Sequence, residues 1–134
     1  ILKESEVDRM EIRESAEDYL ERILMLNKSI GQVRAVDIAN LMNFSKPSVS
    51  IAMKKLRQNG YVNIDGGGFI TLTESGQEIA ERVFERHRLI SQLLIALGVD
   101  EEIAKEDACR VEHDLSVESF EAIKEYCRKN LQIQ

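Results

Sequence analysis

The chain contains few of the residues that mark secreted or membrane proteins. Its 134 residues include one proline, two cysteines and no tryptophan, and aromatic residues make up only 5%. Two cysteines are too few for a disulfide framework, so we expect a protein of the reducing cytoplasm. No apolar run approaches the roughly 20 residues of a membrane-spanning helix, so no membrane partner is expected. The 43% hydrophobic and 31% charged residues predict a soluble globular protein.

Negative charge predominates over the whole chain, but it is unevenly distributed. The formal net charge of −6 argues against an indiscriminately basic nucleic-acid binder. Residues 34–72 nevertheless hold five basic and two acidic side chains, a net charge of +3. This segment can therefore meet phosphate, while the acidic remainder has carboxylates available for cations.

Helical periodicity and capping residues predict the elements of the first half of the chain. A helix is expected over residues 15–30, where Ser15 and Asp18 have the spacing of a capping box. A short helix over 36–42 follows, and Ser45 is placed to cap a third helix over 46–59. Two β-prone runs, 61–64 and 69–72, then flank a glycine-rich turn and predict a hairpin.

The second half of the chain is predicted to be entirely helical. Thr73, Asp100 and Ser116 are placed to cap the expected helices, which run to about residues 97, 114 and 130. Three helices followed by a hairpin is the order of a winged helix-turn-helix, in which the second helix of the turn pair enters the major groove. We therefore expect a mainly α protein, with a winged helix-turn-helix DNA-binding domain over 1–75 and an all-helical domain over 76–134.

The predicted recognition helix carries small hydroxyl groups at its start and lysines on its exposed side. Hydroxyl groups near a helix N-terminus can approach bases and phosphates, and the helix dipole attracts phosphate. The candidate DNA-binding residues are Ser45, Lys46, Pro47, Ser48, Ser50 and Lys54. The alternatives are that the lysines only solvate this face, or that the winged helix binds a protein instead of DNA.

Residues that commonly bind metals recur at helical spacing outside the predicted hairpin. Asp18 and Glu21 are three positions apart, and Cys109, Glu112 and His113 share one helical face. Sulfur, carboxylate and imidazole together favour a transition metal over calcium or magnesium. The candidate metal ligands are Asp18, Glu21, His87, Cys109, Glu112 and His113.

Each candidate ligand also has a purely structural interpretation. His87 between two arginines is often a surface or packed histidine, and Cys109 alone is often a small buried hydrophobic residue. Asp18 could serve only as a helix cap, and Glu21 could pair with a neighbouring cation. A metalloenzyme with an open coordination position is a further alternative. The sequence shows no distinct general base, nucleophile motif or substrate-pocket signature, so we expect no enzymatic activity.

Five segments of the chain match one known family in order and spacing. They are 17–21 (Glu-Asp-Tyr-Leu-Glu), 45–50 (Ser-Lys-Pro-Ser-Val-Ser), 72–76 (Leu-Thr-Glu-Ser-Gly), 86–89 (Arg-His-Arg-Leu) and 107–113 (Asp-Ala-Cys-Arg-Val-Glu-His). On these motifs the chain resembles the diphtheria-toxin-repressor family of metal-dependent transcriptional repressors, including its manganese-sensing branch. The resemblance covers about residues 15–130.

The resemblance implies a homodimer that binds palindromic double-stranded operator DNA through its N-terminal domain. The later helical domain would dimerise and bind metal. The implied corepressor is Mn(II) or Fe(II), with Zn(II), Ni(II) or Co(II) possible in vitro, and the implied targets are genes of metal homeostasis. The SH3-like third domain of longer members is not expected. A winged-helix regulator that responds to a non-metal ligand stays as the alternative function.

The resemblance also assigns the candidate ligands to two sites. By position, Asp18, Cys109, Glu112 and His113 correspond to the family's core site, and Glu21 and His87 correspond to a neighbouring site of the manganese-sensing branch. The chain is a hybrid, because Asp18 is typical of manganese sensors whereas Cys109 is typical of iron sensors. Manganese sensors carry a bridging glutamate at the position of Cys109, so a closely coupled pair of ions is not expected here.

Overall fold

Helices dominate the computed structural model, which describes the backbone of residues 4–133 and the side chains of residues 13–133. In order, its elements are α1 (Glu4–Ser29), α2 (Ala35–Met42), α3 (Lys46–Gln58), β1 (Val62–Ile64), β2 (Ile70–Leu72), α4 (Glu74–Ala96), α5 (Glu101–Val111), α6 (Val117–Tyr126) and a π-helical segment (Cys127–Leu131). No described helix has the length and apolar character needed to cross a bilayer. The predicted mainly α fold with a two-stranded wing is confirmed.

The chain divides into two compact units between Glu81 and Arg82. We call them the N-terminal unit, up to Glu81, and the C-terminal unit, from Arg82 onward. The dividing point lies within α4, a few residues beyond the predicted boundary at residues 75 and 76. The assignment of functions to residues 1–75 and 76–134 stays a prediction.

The N-terminal unit buries one apolar side of each of its helices. Leu20, Ile23 and Leu24 of α1 are buried, as are Ile38 of α2 and Met53 of α3. In α1, a spacing of three or four residues places the buried side chains on one helical face. Helices α2 and α3 pack against each other, and the turn between them contains Asn43 in a left-handed conformation (φ 57°). This is the helix-turn-helix that the sequence predicts.

The wing is a short antiparallel hairpin closed by an aspartate. Val62 pairs with Leu72 and Ile64 with Ile70. The Asp65 carboxylate accepts hydrogen bonds from the backbone N–H groups of Gly67 and Phe69, both at 2.9 Å. These bonds fix the turn through an Asx-type interaction.

The C-terminal unit has a small apolar core of its own. Leu89 of α4, Phe120 of α6 and Cys127 are buried together, and Leu93 and Ile123 pack against them. Burial raises the pKa of the Cys127 thiol above its usual range. Cys127 is therefore a packing residue.

Most predicted helix caps are confirmed, but the predicted start of α1 is wrong. Ser45 accepts a hydrogen bond from the Ser48 N–H at 3.3 Å, and Ser116 accepts one from the Ser119 N–H at 3.1 Å. α1 instead begins at Glu4, so Ser15 and Asp18 lie inside the helix and form no capping box at its start. The preceding residues include several good helix formers (Glu, Met and Arg), which favour continuing the helix N-terminally.

Candidate metal centre and DNA-binding surface

The candidate metal centre of the C-terminal unit is formed by one side chain from α4 and two from the end of α5. His87 lies in the middle of α4, Cys109 lies in the last turn of α5, and Glu112 directly follows α5 with helical backbone angles. The Glu112 N–H donates to the Ala108 carbonyl, so the helical path continues through this residue. The three-residue spacing therefore keeps Cys109 and Glu112 on one face.

The three ligand atoms lie close enough to share one ion. His87 Nδ1 is 2.9 Å from Glu112 Oε2 and 3.7 Å from Cys109 Sγ. One ligand atom each from His87, Cys109 and Glu112 lies within 4.8 Å of the other two. A zinc-sized ion bonds nitrogen at about 2.0–2.1 Å and sulfur at about 2.3 Å, so ligand atoms roughly 3–4 Å apart fit around it.

An observation that is independent of the distances between the ligand atoms also supports a divalent transition metal at this site. The Glu112 side chain is fully buried, and its Oε1 atom has no hydrogen-bond partner among the described residues. Burial of a carboxylate oxygen without a donor is costly, and buried charges in proteins are paired or coordinate metals. The imidazole, thiol and carboxylate are those that bind zinc, iron and related ions.

The electrostatics of the site favour the charged form of His87. The hydrogen bonds with Cys109 and with Glu112 raise the pKa of His87 to about 10, while burial opposes the shift. His87 is half-buried, with 23% of its side chain exposed. A metal ion that binds its ring nitrogen must displace this proton, so binding releases protons.

The structure places the other three predicted ligands as follows. His113 is buried immediately after Glu112, with its Nε2 atom 3.5 Å from Glu112 Oε1. Asp18 and Glu21 lie on α1 in the N-terminal unit. Asp18 is half-buried and Glu21 is fully buried, with its Oε1 atom accepting a hydrogen bond from Arg22 at 2.9 Å. The ligand roles of all six residues stay predictions.

The residue-by-residue reading of the sequence missed a structural role for Arg86, the neighbour of His87. Arg86 is buried and donates hydrogen bonds to the backbone carbonyls of Glu112 and Leu115. The sequence carried no signal for these contacts, because their acceptors are main-chain atoms more than twenty positions away. A basic residue beside a histidine on a helix is more often solvated.

The predicted recognition helix, α3, exposes all six candidate DNA-binding residues. They are Ser45, Lys46, Pro47, Ser48, Ser50 and Lys54. Val49, Met53 and Leu56 of the same helix are buried, which fixes the exposed face. The positive dipole end of α3 lies beside this face and attracts phosphate.

Arg34 and the wing form a second cationic feature of the N-terminal unit that sequence reasoning did not select. The Arg34 guanidinium lies over the Phe69 ring, 4.2 Å from its centroid. The Ile70 N–H also donates to the Val33 carbonyl at 2.7 Å, so the segment before α2 is joined to β2. The wing is thus held against the start of the helix-turn-helix.

Two family models together match most of the chain. Residues 11–67 match the N-terminal DNA binding domain of the iron dependent repressor, and residues 73–130 match the metal binding and dimerisation domain of the iron dependent repressor. The second match contains His87, Cys109, Glu112 and His113, and the first contains α3. The chain therefore belongs to the iron-dependent repressor family of metal-dependent, DNA-binding transcriptional regulators.

Individual relatives agree with this assignment. The chain is 40% identical to a helix-turn-helix-type transcriptional regulator of Methanocaldococcus jannaschii, over 87% of this chain and 94% of that protein. It is 37% identical to the transcriptional regulator MntR of Bacillus subtilis, over 81% of this chain and 77% of that protein. The fold resembles the solved structure of the manganese regulator SloR, with a TM-score of 0.75 and 31% identity. That match covers 84% of this chain but 53% of SloR, so the chain spans about half the length of that protein.

Proposed function

We propose that this protein is a transcriptional repressor that binds operator DNA when it holds Mn(II) or Fe(II), and that it controls genes of metal homeostasis. The observation that carries the proposal is the convergence of His87, Cys109 and Glu112 in the C-terminal unit of a chain with an exposed recognition helix. The family membership and the manganese-regulator relatives support the same function. The proposed role is regulatory rather than enzymatic, and the proposed location is the cytoplasm.

In the proposed metal centre, the chain's own groups would bind the ion and release protons. Glu112 offers a buried carboxylate with one oxygen that lacks a hydrogen-bond donor in the described part of the chain. His87 would give up its ring proton, and Cys109 would lose its thiol proton to bind as the thiolate. When bound, the ion supplies positive charge that offsets the carboxylate and the thiolate.

The remaining proposed ligands are Asp18, Glu21 and His113. Their support is the chemistry of the side chains, the family resemblance, and the burial of Glu21 and His113. An ion with different affinity for the DNA-binding and non-binding conformations would shift the balance between them.

Cys109 bears on which metal the site prefers. Thiolates favour softer ions, and the Irving–Williams order places Mn(II) below Fe(II), Co(II), Ni(II) and Cu(II). We therefore expect Co(II), Ni(II) and Zn(II) to bind the purified protein as well. The choice of Mn(II) or Fe(II) in the cell then depends on availability and geometry.

The proposed DNA partner is a palindromic operator that a homodimer contacts through two α3 helices. The C-terminal unit matches a dimerisation domain, and it exposes large apolar side chains such as Leu97 and Val117, at 70% and 62%. The two recognition helices of a dimer reach successive major grooves on one face of the DNA.

The test is DNA affinity with and without metal. A duplex enriched from a random-sequence pool in the presence of Mn(II) is fluorescently labelled and titrated by anisotropy, at one salt concentration. We expect Mn(II) and anaerobic Fe(II) to raise affinity at least tenfold over chelator. Glu112→Gln, which keeps the shape of the side chain but removes its charge, is expected to abolish the response.

Equal DNA affinity in Mn(II), Fe(II) and chelator would contradict the proposal. That outcome would favour a regulator of this fold that responds to a non-metal ligand. Failure of enrichment from the duplex pool under every condition would contradict the DNA-binding role itself.

A further inference from the structure

Arg86 is an unusual residue of the C-terminal unit because its charge is buried and its hydrogen bonds go to backbone carbonyls. The residue is 8% exposed, and no carboxylate lies within salt-bridge distance of its guanidinium in the part of the chain that the structure describes. Its Nε atom is buried and has no hydrogen-bond partner among the described residues. A buried cation needs compensation from other groups.

The compensation comes from the end of α5 and from α6. Arg86 Nη1 donates to the Glu112 carbonyl at 3.1 Å and to the Leu115 carbonyl at 2.7 Å. Its Cζ atom lies 5.2 Å from the centroid of the Phe120 ring on α6. Arg86 thus joins α4 to the turn that leaves α5 and to the following helix.

The carbonyls at a helix C-terminus are the appropriate acceptors for this cation. The last four carbonyl groups of a helix lack intrahelical partners, and the helix dipole places partial negative charge at this end. Hydrogen bonds from a charged donor are roughly twice as strong as those between neutral groups. The Glu112 carbonyl is therefore held firmly to α4.

The position of Glu112 matters because its own side chain belongs to the candidate metal centre. Its Oε2 atom lies 2.9 Å from His87 Nδ1, and His87 is the next residue after Arg86. Arg86 therefore fixes the main chain of one ligand to the helix that supplies another. A shift at this contact would move Glu112, and the adjoining His113, relative to His87.

We propose that Arg86 is a positioning residue for the metal centre, which holds the end of α5 against α4 so that Glu112 and Cys109 meet His87. The inference rests on the proposed metal-binding function. It assigns no direct contact with the ion to Arg86. Residues that orient metal ligands in this way typically change metal affinity by about 10- to 100-fold when they are substituted.

The test uses Co(II), whose visible bands report its coordination, on the purified full chain. We expect Arg86→Met to weaken Co(II) binding by about 10- to 100-fold and to alter the d–d and thiolate-to-metal bands. Arg86→Lys keeps the charge but has one donor nitrogen, so we expect partial rescue of both properties. The matched control is Lys124→Met, which breaks the 2.6 Å pair between α6 and Glu85 of α4 without touching Glu112, and should leave affinity and bands unchanged.

A second measurement needs no metal. In chelator, we expect faster amide hydrogen exchange over residues 112–116 in Arg86→Met than in the wild-type protein or Lys124→Met. If Arg86→Met does not fold, Arg86→Gln decides, because its shorter neutral side chain loses the charge and cannot bond both carbonyls; wild-type Co(II) affinity and bands in that variant would overturn the positioning role. Unchanged Co(II) binding by folded Arg86→Met would overturn it as well, while leaving the proposed function intact. A wild-type protein that binds no Co(II) would overturn the proposed function and this inference together.

Discussion

At the scale of single residues, Cys109 is the proposed ligand that offers a sulfur atom. Without it, the ligand atoms of the proposed site would be only oxygen and nitrogen. Its sulfur lies 3.7 Å from His87 Nδ1, and Cys109 is half-buried, whereas the Glu112 carboxylate is fully buried. Sulfur contributes affinity for softer ions and thereby works against Mn(II). A substitution of Cys109 is therefore expected to change which metal the proposed site prefers.

We expect Cys109→Glu to shift the preference of the site toward Mn(II). A carboxylate is a harder ligand than a thiolate, and it can bridge two ions, so the variant should gain Mn(II) affinity relative to Co(II) and take up a second ion. Isothermal titration calorimetry with each metal measures both affinity and stoichiometry. An unchanged ratio of affinities together with one ion per chain would contradict this prediction.

His87 gives the metal-free protein a pH-dependent contribution to stability. The contacts with Cys109 and Glu112 raise its pKa to about 10, above the roughly 6.5 of an unfolded histidine. The charged histidine is therefore favoured in the folded state, and its contribution is full below about pH 6.5 and is lost as the pH rises through about 10.

Urea denaturation in chelator measures this contribution as the difference between the wild-type protein and His87→Gln. We expect the difference in unfolding free energy to be larger at pH 6 than at pH 10. A difference that stays constant, or grows with pH, would be inconsistent with a raised pKa of His87.

At the scale of elements, α3 is expected to bind DNA mainly through charge at its exposed face. Reversing Lys46 and Lys54 together to Glu should weaken binding to all duplexes alike, because phosphate contacts carry little sequence information. The proposed dimer carries both changes twice, so the loss of four phosphate contacts should reduce the slope of log affinity against log salt by about 4. Anisotropy titrations over a salt series provide the slope.

The control for this prediction is Lys129→Glu, a charge reversal at an exposed lysine of the C-terminal unit. It shows what charge reversal at a single lysine outside α3 does to DNA binding. A salt slope in the Lys46 and Lys54 variant equal to that of the wild-type protein would show that α3 does not contact phosphate.

The start of α4 depends on a glycine that lets two segments of the N-terminal unit approach closely. A Cβ atom on Gly76 would lie 2.0 Å from the Tyr61 carbonyl oxygen, which belongs to the backbone. We expect Gly76→Ala to destabilise the N-terminal unit by about 2 kcal/mol or more, because the backbone has to move. Gly66→Ala is the matched control, since an added Cβ there meets no atom within 4 Å. Urea denaturation of both variants tests this, and equal stabilities would contradict it.

Local sequence signals predicted most element boundaries because their causes are local. Thr73 accepts from the Gly76 N–H and Asp100 from the Glu102 N–H, so both predicted caps form. The predicted start of α1 was wrong because a capping pattern at Ser15 also fits the interior of a helix. The predicted last helix ends earlier than residue 130, since its final turn becomes π-helical over Cys127–Leu131.

At the scale of the whole molecule, the proposed function needs two copies of the chain on one operator. We expect a palindromic duplex to bind two chains in Mn(II), with much higher affinity than a duplex that contains a single half-site, because the second α3 contributes only when both half-sites are present. Sedimentation velocity gives the stoichiometry, and anisotropy gives the two affinities. Equal affinities for the two duplexes would argue against a dimeric reader.

The sequence by itself determined the kinds of elements, their order, the exposed face of α3 and the residue types available for a metal. These follow from periodicity, caps and turn residues, which act over a few positions. Only the tertiary structure decided that His87 of α4 meets Cys109 and Glu112 of α5. It also decided that Arg86 joins the end of α5 through main-chain acceptors. Contacts between residues far apart in the chain depend on how helices pack, and a backbone carbonyl leaves no mark in the sequence that would reveal its partner.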